Sequence, residues 1–163
     1  MITIRRFSAS DEKSVLGLIT QIMQKEFRED LNAYPTEDVE NIQKAYGGIG
    51  DAFFVAVDGS QIIGTVAIKK EDDRVALMRR LFVANAYRKQ HIGRQLIDRA
   101  IQFCDEVGYT EVIFRTTSRM EAASKVVEKR GFTQRAKLQL GPIELKKFSL
   151  SIRNGSKNSK VSA

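Results

Sequence analysis

Three cationic side chains, Arg88, Lys89 and Arg94, share the ten-residue stretch YRKQHIGRQL with the chain's single histidine, His91, and with Gly93. A turn of this composition at the start of a helix is suited to holding phosphate. The first helical N–H groups lack intrahelical partners, converge on the turn and are reinforced by nearby positive charge. Gly93 would let a ligand approach the backbone closely. Taken alone, the stretch is equally well an ordinary connection, because short glycine-containing turns are common. Other reactive side chains are scarce. Cys104 is the only cysteine and falls on one helical stripe with Ile97 and Ala100, the position of a small buried side chain. One cysteine and one histidine provide neither an internal disulfide nor a transition-metal site, so no metal is expected.

The elements around that stretch follow from hydrophobic periodicity. ITIRRF reads as a first strand, and Val15, Leu18, Ile19, Ile22 and Met23 form a helical stripe behind acids in the first turn. A second helix is expected after YPT, with Thr36 as N-cap and Glu37 and Asp38 at its positive end. The period then drops to two: AFFVAV, QIIGTVAIKK and VALMRRLFVA, separated by DGS and EDDR, read as an antiparallel meander. Ile92, Leu96, Ile97, Ala100, Phe103, Cys104 and Val107 restore a helical stripe that Gly108 should end. TEVIFRTT is a further strand. Ser118 and Glu121 have capping-box spacing for a last helix, which Gly131 would terminate, and FTQRAKLQL and IELKKFSLSI close the order β, α, α, β, β, β, α, β, α, β, β.

The 163 residues fit one domain, expected over 1–152, followed by a basic, disordered tail over 153–163. No apolar run reaches the roughly 18 residues of a membrane span, and the N-terminus lacks the apolar core of a secretory signal, so a cytoplasmic, membrane-independent protein is expected. The net charge of +7 is uneven: residues 1–60 hold 6 Lys+Arg and 10 Asp+Glu (−4), the other 103 hold 21 and 10 (+11). The tail carries +3 of this, which leaves +8 on the folded C-terminal part, a bias toward an anionic ligand. Nucleic acid is a poor candidate partner, because the cations are scattered over loops, strands and helices without interleaved exposed aromatics.

Placed in this order of elements, RRLFVANAYRKQHIGRQLIDRAIQFCDEVGY resembles motif A of the GNAT superfamily of N-acetyltransferases, whose signature is Arg/Gln-x-x-Gly-x-Gly/Ala after the fourth strand. AASKVVEKRGF resembles the family's motif B, and DGSQIIGTVAI its second and third strands. The resemblance covers about residues 1–150. It implies an α/β (α+β) GNAT fold: a central mixed, mostly antiparallel twisted sheet of about seven strands flanked by about four helices. It also implies that the loop holds the pyrophosphate of acetyl-CoA, with cofactor-binding residues Arg88, Lys89, Gln90, His91, Ile92, Gly93 and Arg94. Arg88 matches the first motif position and Gly93 the last, while His91 replaces the middle glycine. Its Cβ restricts the backbone there, and its imidazole would be a surface group or an added phosphate donor. Leu81, Phe82 and Val83 match the stretch whose backbone pairs with pantetheine like an added strand.

The implied activity is acetyl-CoA-dependent transfer of an acetyl group to a primary amine of a small molecule or protein, by direct attack in a ternary complex. The sequence departs from the family where proton transfer is usual. Val127 stands at the motif B tyrosine, Leu77 at the fourth-strand acid and Met120 at a frequent asparagine. Glu37, Asp38, Glu121, Tyr34, Tyr46, Tyr87 and Tyr109 each have a structural reading as caps, packing or surface groups, so no catalytic residue is assigned. These departures keep open a non-catalytic acyl-CoA-binding or sensing module. The acidic first 60 residues, expected to cover the acceptor cleft, would favour a cationic amine. IELKKFSLSI is a candidate sheet edge for a homodimer, while its alternation equally suits a monomer whose lysines block pairing.

Overall fold

The computed structural model describes residues 1–33 and 35–152; Tyr34 and the expected tail lie outside them. Eleven elements follow the expected order: β1 (Ile2–Arg6), α1 (Glu12–Glu26), α2 (Ile42–Ala45), β2 (Ala52–Asp58), β3 (Gln61–Lys70), β4 (Val75–Val83), α3 (Ile92–Val107), β5 (Glu111–Thr117), α4 (Glu121–Lys129), β6 (Thr133–Leu140) and β7 (Ile143–Ser151). The strands form one seven-stranded sheet in the order β1-β2-β3-β4-β5-β7-β6. Only the β4–β5 pair is parallel. No helix among the described residues is long and apolar enough to cross a membrane.

Strict alternation lets the central strands supply two cores. In β2, Phe54 and Ala56 join the core beneath α3, with Leu96, Ile97, Ala100 and Cys104. Phe53, Val55 and Val57 point the other way, into a second core closed by Val15, Ile19, Ile22 and Met23 of α1. The expected stripe of α3 is buried except for Val107, and Gly108, at φ 108°, ends the helix as expected. Gly131, at φ 109°, does the same after α4.

Three local expectations are corrected. Thr36 does not cap a helix: α2 is a single turn that starts after Asn41, and the 36–41 segment folds as turns. The Ser118–Glu121 capping box does not form. Met120 is the N-cap of α4, and Ser118 N–H instead donates to Glu144 C=O (3.0 Å), because the end of β5 is drawn into pairing with the β6–β7 hairpin. Finally, IELKKFSLSI is β7, which lies between β5 and β6, so the sheet edge is β6.

Two features of β4 shape the cleft. Its register against β3 slips where Thr65 pairs with Phe82 and Ala67 with Arg79, a β-bulge with Arg80 at φ 55°. In addition, β4 pairs with β5 only through Val75–Met78. Beyond Met78 the two parallel strands part, and the opening leads to the loop before α3.

Candidate functional site

The opening between β4 and β5 is a cleft of about 340 Å³ whose lining includes Leu77, Arg79, Arg80, Leu81, Phe82, Thr116 and Met120. Ala84 N–H donates to Ile63 C=O on β3 (2.8 Å). By strand alternation the backbone of Phe82 also faces β3, and that of Leu81 and Val83 faces the gap left by β5. This is the geometry needed to accept an extended ligand as an extra strand.

At the far end of the gap α3 begins. Its first helical bond is Gln95 N–H to His91 C=O (3.1 Å), so the N–H groups of Ile92, Gly93 and Arg94 have no intrahelical acceptor. Lys89 and His91 adopt φ 63° and 64°, the left-handed region in which a glycine costs nothing. His91 thus keeps the backbone shape of the glycine it replaces, and its side chain is exposed. Gly93 lies open: a Cβ there would meet only methyls of Val83 and Val126, both at 3.9 Å. Lys89, Gln90 and Arg94 are exposed around the turn, whereas the Ile92 side chain is buried in the core and leaves only its N–H available. Arg88 is engaged within the protein. Its Nε donates to Val83 C=O (3.0 Å), and its Nη1 and Nη2 bind the Glu26 carboxylate at 2.5 and 2.9 Å, fastening the loop to α1.

Sequence reasoning missed the polar cluster at the closed end of the cleft. The Arg80 guanidinium is buried, with its side chain 2% exposed. Nε donates to Asp38 Oδ2 (2.9 Å), and Nη2 bonds to Asp38 Oδ1 and Pro35 C=O. Tyr46 Oη donates to the same carboxylate at 2.5 Å. Burial alone would push the Asp38 carboxyl up, but the Arg80 guanidinium and the Tyr46 hydroxyl outweigh it and hold it below its usual range. Burial, and then the neighbouring Asp38, push the Tyr46 phenol up. Thr65 Oγ1, itself buried, donates to Arg80 C=O (2.7 Å) and props the bulge. One signal was available: adjacent arginines in the apolar run VALMRRLFVA cannot both follow a two-residue alternation, so the strand must bulge there.

Residues 18–132 match the family model described as Acetyltransferase (GNAT) family. The chain belongs to this family. Among solved structures, a GNAT-family acetyltransferase from Staphylococcus aureus Mu50 superimposes with a TM-score of 0.79 at 22% identity, over 93% of this chain and all of that one. The yncA protein of Salmonella typhimurium, solved with its cofactor acetyl-CoA, gives 0.75 at 17% identity over 92% and 93% of the two chains. Among curated relatives, the N-acetylaspartate synthetase of Danio rerio is 37% identical over 84 residues, 51% of this chain and 30% of that protein. The chain spans less than half the length of the curated relatives it matches.

Within the GNAT fold, the positions that often transfer protons are apolar. Val127 is fully buried on the inner face of α4, and Leu77, which lines the cleft, has no ionisable group. The remaining tyrosines described are committed elsewhere: Tyr87 Oη donates to Asp58 (2.7 Å) and Tyr109 Oη to Gly50 C=O (2.8 Å). Cys104 is buried, and burial pushes its thiol up to about 12, so it is no thiolate nucleophile. Several N-terminal carboxylates are held in ion pairs: Asp11 with Arg5, Glu26 with Arg88, Asp30 with Arg119, Asp38 with Arg80 and Asp51 with Lys69. They neutralise cations, four of the five from beyond residue 60.

Proposed function

We propose that this chain is an acetyl-CoA-dependent N-acetyltransferase that moves the acetyl group onto a primary amine by direct attack within a ternary complex. The observation that carries the reading is the gap between β4 and β5, where the backbone of Leu81 and the N–H of Val83 face away from β3 and lead to the unpaired N–H groups of α3, the Val83 C=O being taken by Arg88 Nε. The pantetheine arm would add as a strand along Leu81–Val83. The pyrophosphate would rest on the amides from Lys89 to Arg94, with Arg88 holding the loop in place. In the reaction the neutral amine forms the new N–C bond at the thioester carbon, the C–S bond breaks, and its electron pair leaves on sulfur. The thiolate takes a proton from solvent, and the amine gives one up. Because no side chain is assigned to proton transfer, acceleration rests on positioning, which can be large.

The burial of Val127 and the apolar Leu77 favour one second reading, an acyl-CoA-binding module without turnover. Calorimetric titration of acetyl-CoA, with coenzyme A and desulfo-coenzyme A alongside, tests the shared part. Wild type should bind saturably and Gly93→Glu, which sets a carboxylate at the phosphate position, should not. Absence of binding at millimolar acetyl-CoA would sink both readings. Thiol release with an amine panel then separates them.

A further inference from the structure

Two adjacent arginines line the cleft, and among the described residues only one of them has a carboxylate partner. Arg79 and Arg80 sit at the bulge where β4 and β5 rejoin, at the opposite end of Leu81–Val83 from the phosphate loop. Arg80 Nη1 is fully covered and has no hydrogen-bond partner among the described residues, although the other guanidinium nitrogens are satisfied. That nitrogen lies out of reach of a cleft ligand, and the charge of Arg80 is already balanced by Asp38, so the cation left for a ligand is its neighbour. Arg79, half-buried beside it, lines the same cleft and makes no ion pair among the described residues. Together Arg79, Arg80 and Asp38 sum to one positive charge, which matches a monoanion better than a phosphate dianion. Thr116 Oγ1, also buried without a partner, adds a donor or acceptor across the cleft on β5.

We propose that the acceptor is a small amine that also bears a carboxylate, which Arg79 grips at the β4 bulge beside the Asp38-paired Arg80, so that the amine is aimed along the cleft. Asp38 balances Arg80 and leaves the charge of Arg79 to the ligand. The planar fork of arginine suits a carboxylate and would not be reproduced by lysine. This inference rests on the acetyltransferase reading, and its test is arranged so that the two can fail separately.

The test is equilibrium binding to the coenzyme A-saturated protein, read by ligand-observed NMR, of a panel of amino acids, each paired with its own carboxamide, plus a linear polyamine. Thiol release from acetyl-CoA is measured on the same panel. At least one amino acid should bind, and react, about ten- to a hundredfold better than its amide, the span expected for charged hydrogen bonds. Arg79→Gln should bring that ratio close to one without changing affinity for coenzyme A, and Arg79→Lys should restore it only in part. Arg79 is half-exposed, so these variants spare the buried Arg80 pair. A panel in which no acid outbinds its amide, or in which the polyamine binds best, overturns the proposal. Failure of the wild type to bind coenzyme A at all would instead overturn the acetyltransferase reading beneath it.

Discussion

His91 carries a glycine's backbone angle with a side chain attached, and nothing else in the loop makes up for it. The left-handed conformation costs a residue with a Cβ about 1–2 kcal/mol, part of which a real glycine would return through the freer unfolded chain. His91→Gly should therefore raise stability by about 0.5–1 kcal/mol in urea titration and leave acetyl-CoA affinity unchanged. A clear loss of affinity would show instead that the imidazole touches the pyrophosphate. The Arg80 pair behaves in the opposite way. Asp38→Asn keeps the shape but leaves a buried guanidinium without its counter-charge, which typically costs about 3–5 kcal/mol. Tyr46→Phe removes only one hydroxyl from the same carboxylate, so its cost should stay near 1–2 kcal/mol, roughly the value of a hydrogen bond to a charged group. Equal costs for the two would mean that the pair is not the element holding residues 35–38 to the sheet.

Strand β4 is where local sequence and tertiary structure meet. The meander, both long helices and the glycine stops were legible because each follows from periodicity or from a backbone angle that only glycine adopts cheaply. The phosphate turn was legible because charge and glycine cluster within ten residues. The closed end of the cleft was not, since Asp38 and Arg80 are 42 positions apart and no local pattern links them. The same holds for the capping residues: Thr36 and Ser118 have the chemistry of caps, yet long-range pairing claimed both segments. The bulge itself depends on a residue from the neighbouring strand, Thr65, whose hydroxyl bonds to Arg80 C=O. Thr65→Val is nearly isosteric and leaves that buried carbonyl unsatisfied. It should cost about 1–3 kcal/mol, and, if the bulge aims the arginines, raise the acceptor KM more than the acetyl-CoA KM. A change confined to stability would reduce Thr65 to a packing residue.

At the scale of the whole molecule, part of the charge asymmetry is consumed inside the fold. Carboxylates of the acidic first third pair with cations on later strands and loops, through Glu26–Arg88, Asp30–Arg119, Asp38–Arg80 and Asp51–Lys69. Composition could report the imbalance but not that the two parts would cancel against each other. The consequence is a dependence on pH with a definite sign. Hydrogen bonds from Arg5 hold the Asp11 carboxyl below its usual value, and Arg80 with Tyr46 does so for Asp38 against the opposing effect of burial. A carboxylate whose folded pKa is depressed contributes its stability above its unfolded pKa of about 3.9, and that contribution disappears as pH falls through the unfolded value toward the lower folded one. At the alkaline end, the buried Cys104 thiol, pushed up to about 12, contributes below its ordinary value and loses that contribution as pH rises toward 12. Stability should therefore hold between about pH 5 and 8 and fall on either side. Hydrogen exchange at pH 3 compared with pH 6, corrected for intrinsic rates, should locate the acid loss. Amides of α1 and residues 35–46 should lose protection first, because their ties to the sheet are the titrating pairs. Amides of α3 and β2, packed in the apolar core, should lose it last. Uniform loss across both sets would mean that the two cores unfold as one unit and that the ion pairs do not set the order.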